Sequence, residues 1–184
     1  FAPSTILAIA HTADNSTLAA TKEGAVYSFP EGQIKAAQKF DGLHQGPIYA
    51  MTSAGGFVIT GGKDGKVKFW NQSMELAKEV DVGKASESLV DKHSNPMSFV
   101  SGRAPCVRAV SFDPERQKLL VGTRSSEVWE FGMGAPSSFK KERRLLVQGH
   151  AAAFDPRRGV MAGEVWGLDI LPTPGRFVTC SEDR

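Results

Sequence analysis

From Lys66 to Trp70 the chain reads KVKFW, with charged and apolar side chains taking turns. A period of two sends successive side chains to opposite faces, so the run predicts a half-buried strand. Two short apolar strips precede it, PIYAMTSAGG and FVITGG, each closed by glycine. Asp64-Gly65 stands between the second strip and the alternating run, which predicts a tight hairpin. The whole stretch TGGKDGKVKFW also invites comparison with a phosphate-binding loop. Such a loop needs a glycine, four residues, Gly-Lys and then Ser or Thr, and it must open a helix whose N–H groups converge on the anion. Here Thr60 lies five residues before Gly65, Val67 follows Lys66, and a strand follows the turn. The loop is architecture.

The same grammar recurs along the chain. STILAIAHTADN, STLAATKEG and AVYSFPEG come first; PIYAMTSAGG, FVITGGKDG and KVKFWNQ second; CVRAVSFDPERQ, KLLVGTRSS and EVWEFGMG third; EVWGLDILPTPG and RFVTCSEDR last. Gly24 and Gly65 are 41 residues apart, as are Phe29 and Trp70. A period of roughly 40–45 residues made of short strands and Asp/Gly turns marks the four-stranded blades of a β-propeller. The expected fold is all-β: a partial propeller of about three and a half four-stranded blades. Blades fall at about 4–42, 43–82 and 106–148, with an incomplete one at 164–184. Insertions occupy 83–105 and 151–163. The last unit stops after its second strand, and an open strand edge there would be prone to aggregation. The expectation is therefore that these residues belong to a longer chain.

Composition narrows the class without changing it. Of 184 residues, 41% are hydrophobic and 23% charged, ordinary for a soluble globular protein. A net charge of +2 is far from the footprint of a dedicated nucleic-acid binder, so no nucleic acid is expected as partner. No apolar run approaches the length of a membrane span, and no membrane partner is expected. The two cysteines, Cys106 and Cys180, sit in apolar runs and are expected to be buried, reduced thiols of an intracellular protein. Trp129 and Trp166, on strands, are expected to be core.

Resemblance adds to this reading. The second blade resembles a WD40 repeat, in which a histidine before the first strand, a Ser/Thr in the second, an Asp in the hairpin and a Trp in the third form a hydrogen-bonded tetrad. His44, Thr60, Asp64 and Trp70 stand at those positions, although His44 follows Leu43 rather than Gly. Gly149-His150, Thr179 and Asp183 match in the last unit. Blades one and three depart, with Glu23 and Ser125 in place of Asp, and Phe29 and Phe131 in place of Trp. The runs VITGGKDGKVKFW, LLVGTRSSEVWEF, LVQGH and VWGLDILP, in this order, are similar to the echinoderm microtubule-associated protein-like family. The resemblance implies a non-catalytic, cytoplasmic protein of the cytoskeleton, with tubulin and microtubules as partner and a cilium or flagellum as a further location. A general WD40 scaffold, meeting other proteins through inter-blade loops without touching tubulin, is the alternative.

In that topology both insertions and the hairpin turns after each second strand emerge on one face. Lys22, Lys63 and Arg124 occupy equivalent turn positions, and Arg103, Arg157 and Arg158 lie in the insertions. Together they form a candidate basic rim for an acidic partner surface such as tubulin's exterior. Catalysis finds no support. Among His11, His44, His93 and His150 no pair has metal-ligand spacing, and no serine sits in a Gly-x-Ser-x-Gly elbow. Glu164 and Asp169 flank Trp166 without forming a catalytic pair. No cofactor, metal or small-molecule substrate is expected.

Overall fold

A computed structural model describes residues 4–31, 33–83, 106–134, 143–148, 154–155, 160–161 and 164–181. The first sheet joins β1 (Ile6–His11), β2 (Thr17–Thr21), β3 (Val26–Phe29) and β4 (Gln38–Phe40) in that order, with a 3-10 turn at Ile34–Ala36. The second runs through β5 (Ile48–Ala54), β6 (Phe57–Gly62), β7 (Lys66–Trp70) and β8 (Leu76–Asp81). The third comprises β9 (Val107–Asp113), β10 (Lys118–Thr123), β11 (Glu127–Gly132) and β12 (Arg143–Gln148). A short ladder pairs β13 (Phe154–Asp155) with β14 (Val160–Met161), and β15 (Val165–Ile170) pairs with β16 (Phe177–Ser181). All described pairings are antiparallel between neighbours in sequence. The chain is all-β, a partial propeller with β1, β5, β9 and β15 side by side as its innermost strands.

Packing between blades supplies the core. Phe69, Ile59, Val67 and Val80 of the second blade meet Val107, Phe112, Leu119, Val121 and Phe131 of the third. The other face of the second blade, with Ile48, Val58 and Trp70, meets Leu18, Ala20 and Val26 of the first. Phe69 stands edge-on to both Phe57 and Phe112, with centroids 5.9 and 5.3 Å away, a favoured geometry for aromatic pairs.

Ile48 and Ala50 serve opposite faces, although strict alternation would put them on one. The cause is a bulge: the register of β5 against β6 shifts between Ile48 and Ala50, leaving Tyr49 as the extra residue. The same shift falls at Leu7 in β1, at Arg108 in β9 and at Trp166 in β15. Val107 and Ala109 accordingly belong to different interfaces.

In the first three blades the bulge is held by one repeated bond. The amide of the first turn residue reaches back to the carbonyl just ahead of the inner strand: Lys22 to Thr5 at 3.0 Å, Lys63 to Pro47 at 2.9 Å, and Arg124 to Cys106 at 2.9 Å. The third residue of each turn adopts a left-handed conformation: Gly24 (φ 84°), Gly65 (φ 75°) and Ser126 (φ 64°). Glycine takes this conformation without steric cost, and serine does not. Ser126 is also buried, and its hydroxyl finds no partner among the described residues.

Ser126→Gly should therefore stabilise the protein by about 1 kcal/mol, since relief of left-handed strain and of a buried hydroxyl outweighs the added freedom of the unfolded chain. Urea denaturation of the two proteins at equal concentration checks this. A lower midpoint for the variant would contradict it.

Candidate functional site

The second blade's turn is built around a buried imidazole. His44, 4% exposed, has Nδ1 at 2.9 and 3.0 Å from the two Asp64 oxygens and Nε2 at 2.8 Å from Thr60 Oγ1. Trp70 Nε1 donates to the same Thr60 oxygen at 2.8 Å. Donors and acceptors close only one way with a neutral imidazole. The indole N–H donates to the threonine oxygen, the threonine hydroxyl donates to Nε2, and Nδ1–H donates to the carboxylate. Asp64 also accepts from the backbone amides of Gln45 and Lys66, each at 3.2 Å. Burial by itself would raise the Asp64 carboxyl, but the His44 hydrogen bond and the two amides outweigh it and hold it below the usual carboxylate range. Gly62 leaves the room this needs, because a Cβ there would collide with His44 Nδ1 and lie 2.7 Å from Asp64 Oδ1.

Among the described residues, blades one and three close the same turn with threonine and no histidine. Thr21 and Thr123, both buried, stand where Gly62 does. Thr21 Oγ1 donates to the Ala25 carbonyl and accepts from the Ala25 amide. Thr123 Oγ1 accepts from the Ser125 amide. In blade one Ser4 donates to Glu23, a small counterpart of the His44–Asp64 pair. In the last unit Thr179 lies on β16 opposite Leu168, while His150 and Asp183 fall outside the described residues. The structure brings together His44, Thr60, Asp64 and Trp70.

The candidate basic rim is partly described. Lys22, Lys63 and Arg124 occupy matching turns and are exposed, whereas Arg103, Arg157 and Arg158 fall outside the described residues. No ion pair involves Lys22 or Lys63 among the described residues. Arg124 differs, because its Nε lies 2.9 Å from Glu164 Oε1. Glu164 is buried and also receives Arg108 Nη2 at 2.5 Å. The Arg108 guanidinium lies between two aromatic rings, 3.9 Å from the centroid of Tyr49 and 4.8 Å from that of Trp166.

Tyr49 and Arg108 were not singled out from sequence, and Glu164 was weighed there only as a carboxylate flanking Trp166. The available signal was alignment of PIYAM, CVRAV and EVWGL, whose third residues are the three bulge positions. Two expectations are corrected by the structure. Trp129 is core, 3% exposed and bonded to Glu127 at 3.0 Å, but Trp166, at the bulge of β15, is 50% exposed. Cys180 is likewise exposed and Cys106 only half-buried; both are free thiols. Burial pushes the Cys106 thiol up, Arg108 opposes this, Glu164 adds to it, and Arg124 and Lys63 oppose it. Among the described residues no group of three or more His, Cys, Asp or Glu is placed to hold a metal ion, and no helix is long and apolar enough to cross a membrane.

Thr60→Val keeps the shape but strands the indole N–H and the imidazole Nε2 in a dry site, which should cost about 1–3 kcal/mol. Urea denaturation followed by tryptophan fluorescence measures it, and an unchanged midpoint would refute the relay. Asp64 adds a pH dependence. Its folded pKa lies below the unfolded value, so its contribution is complete above about pH 4 and is lost as pH falls through the lower folded value. The stability gap between wild type and Asp64→Asn should accordingly be widest at neutral pH and narrow on acidification. Denaturation series at several pH values would show this, and a gap independent of pH would not fit.

Comparisons with known proteins agree with this geometry. Residues 38–71 match the family described as WD domain, G-beta repeat. That span contains His44, Thr60, Asp64 and Trp70. Over 184 residues, 99% of this chain, it is 24% identical to the 77 kDa echinoderm microtubule-associated protein of Strongylocentrotus purpuratus, covering 22% of that protein. It is 26% identical over the same share to echinoderm microtubule-associated protein-like 2 of Mus musculus, covering 23% of it. For echinoderm microtubule-associated protein-like 1 of Homo sapiens the identity is 22%, with 18% of that protein covered. The chain thus spans about a fifth of the length of these relatives. Its second blade matches the WD40 repeat, and nearly all of its 184 residues resemble the echinoderm microtubule-associated protein-like proteins.

Proposed function

We propose that this chain is part of a non-catalytic propeller of a microtubule-associated protein, and that its turn face meets tubulin. The observation that carries the proposal is similarity along 99% of the chain to proteins named for microtubule association. The turn face supplies a physical reason. Lys22 and Lys63 project from successive blades with no counter-ion among the described residues, and tubulin's exterior is acidic. Uncompensated lysines raise the rate of encounter with an acidic surface and lose effect as salt screens them. The basic residues of the insertions, Arg103, Arg157 and Arg158, are assigned to the same rim. Arg124 contributes less charge than its position suggests, because Glu164 neutralises part of it. On this reading the protein resides on the cytoskeleton.

Co-sedimentation of the full-length protein with polymerised microtubules across a salt series tests it. Lys22→Glu/Lys63→Glu is the informative variant, since both side chains are exposed and their reversal leaves the Glu164 network untouched. Binding that falls with salt and weakens about fivefold or more in the variant, with folding intact, is expected. Absence of microtubule binding would overturn the proposal and favour a scaffold that assembles other proteins through the inter-blade loops.

A further inference from the structure

The interface between the second and third blades is filled by aromatic rings. Phe57, Phe69 and Phe112 meet edge to face, Lys78 lies over Phe57 at 6.0 Å, and Met133 joins the same cluster, 1% exposed. The strand registers give each of these a counterpart one interface earlier. Ser16 stands for Phe57, Ser28 for Phe69, Ser53 for Phe112, Gln38 for Lys78 and Gln72 for Met133. Three phenyl rings are thus replaced by three hydroxyls, and the space that the rings would take stays open. It forms a groove of about 620 Å³ between the first and second blades. Both walls are complete four-stranded sheets inside the row, and the groove lies at the strand ends opposite the turns of Lys22 and Lys63.

The chemistry of the lining narrows the occupant. Leu18 and Val58, both buried, give it an apolar floor. Above them, Ser28, Ser53, Gln38 and Gln72 have side chains that make no hydrogen bond among the described residues. The lining holds no lysine or arginine, and its one carboxylate, Asp14, already accepts from Thr12 and Ser16. An acidic ligand finds no cation here, and a basic one finds only a carboxylate that is already engaged. A wholly apolar ligand would leave the hydroxyls and amides unpaired, which costs free energy. We propose that this groove binds an uncharged, extended peptide segment carrying one phenyl side chain. The ring lies on Leu18 and Val58, in the space that phenylalanines fill one interface further on. The Gln38 and Gln72 amides, each able to donate and accept, meet the N–H and C=O groups of the peptide backbone. The volume is in the range of sites that enclose a ligand of this size. The groove is independent of the charged turn face, so a partner held here leaves Lys22 and Lys63 open to another.

The test uses the full-length protein and pools of fluorescein-labelled nonapeptides with a central phenylalanine. Flanks are drawn from Gly, Ser, Asn and Gln in one pool, from Asp and Glu in a second, and from Lys and Arg in a third. A fourth pool has uncharged flanks and a central alanine. Fluorescence anisotropy is measured for wild type, Ser28→Phe/Ser53→Phe, Gln38→Ala/Gln72→Ala and Lys22→Glu/Lys63→Glu, with the melting temperature of each recorded. Wild type should bind the uncharged phenylalanine pool about tenfold more tightly than the alanine pool, with little dependence on salt. Ser28→Phe/Ser53→Phe fills the groove and should abolish that preference without lowering the melting temperature. Gln38→Ala/Gln72→Ala removes exposed amides that hold no fold contact and should weaken binding about threefold. Lys22→Glu/Lys63→Glu should bind as wild type does. No preference for phenylalanine over alanine overturns the proposal, as does a preference that survives the filled variant. If the filled variant melts early, the glutamine variant decides, and unchanged affinity there overturns the proposal. Tighter binding of the acidic or the basic pool overturns it as well.

Discussion

One backbone hydrogen bond, repeated, determines what this molecule presents to its surroundings. In each of the three complete blades the amide opening the second hairpin turn bonds the carbonyl ahead of the inner strand. That bond leaves one more residue on the inner strand than its partner can match, and the strand bulges. From the bulge follow the two-sided use of Ile48 and Ala50, the split of Val107 and Ala109 between interfaces, and the outward position of Tyr49 and Arg108. A turn residue such as Lys63 is tethered through its backbone, so its side chain is free for other work.

Three chemical solutions keep this turn closed. The second blade uses a buried His–Asp pair extended by Thr60 and Trp70, and needs a glycine beside it to admit the imidazole. The first blade uses Thr21 with Ser4 and Glu23. The third uses Thr123 and tolerates a left-handed Ser126. A side chain at this position and the imidazole of the second blade compete for one space, since a Cβ on Gly62 would meet His44.

Much of this was legible in the sequence, and the limit has a physical cause. Alternation in KVKFW and the 41-residue spacing fix strands and blades, because a half-buried strand must alternate and a blade must repeat to bury its faces. His44, Thr60, Asp64 and Trp70 stood out because a closed hydrogen-bond chain requires particular donors at particular places. The Tyr49–Arg108–Trp166 stack did not stand out, because a bulge breaks alternation at one residue and leaves no mark in composition. Trp166 looks like core on periodicity, yet it lies on the one residue of its strand that periodicity misplaces. The pairing of Glu164 was hidden for a related reason: its two arginine partners are 56 and 40 residues away in sequence.

The second blade belongs to two cores at once. Ile48, Val58 and Trp70 complete the cluster shared with the first blade, and Ile59, Val67 and Phe69 complete the one shared with the third. In a row of units that touch only their neighbours, the free energy of each interface depends on both partners being folded. Among the described residues the first and third blades have no cluster in common, and the second packs against both. The blade with the polar relay is therefore shared by two interfaces, and loosening it weakens both at once.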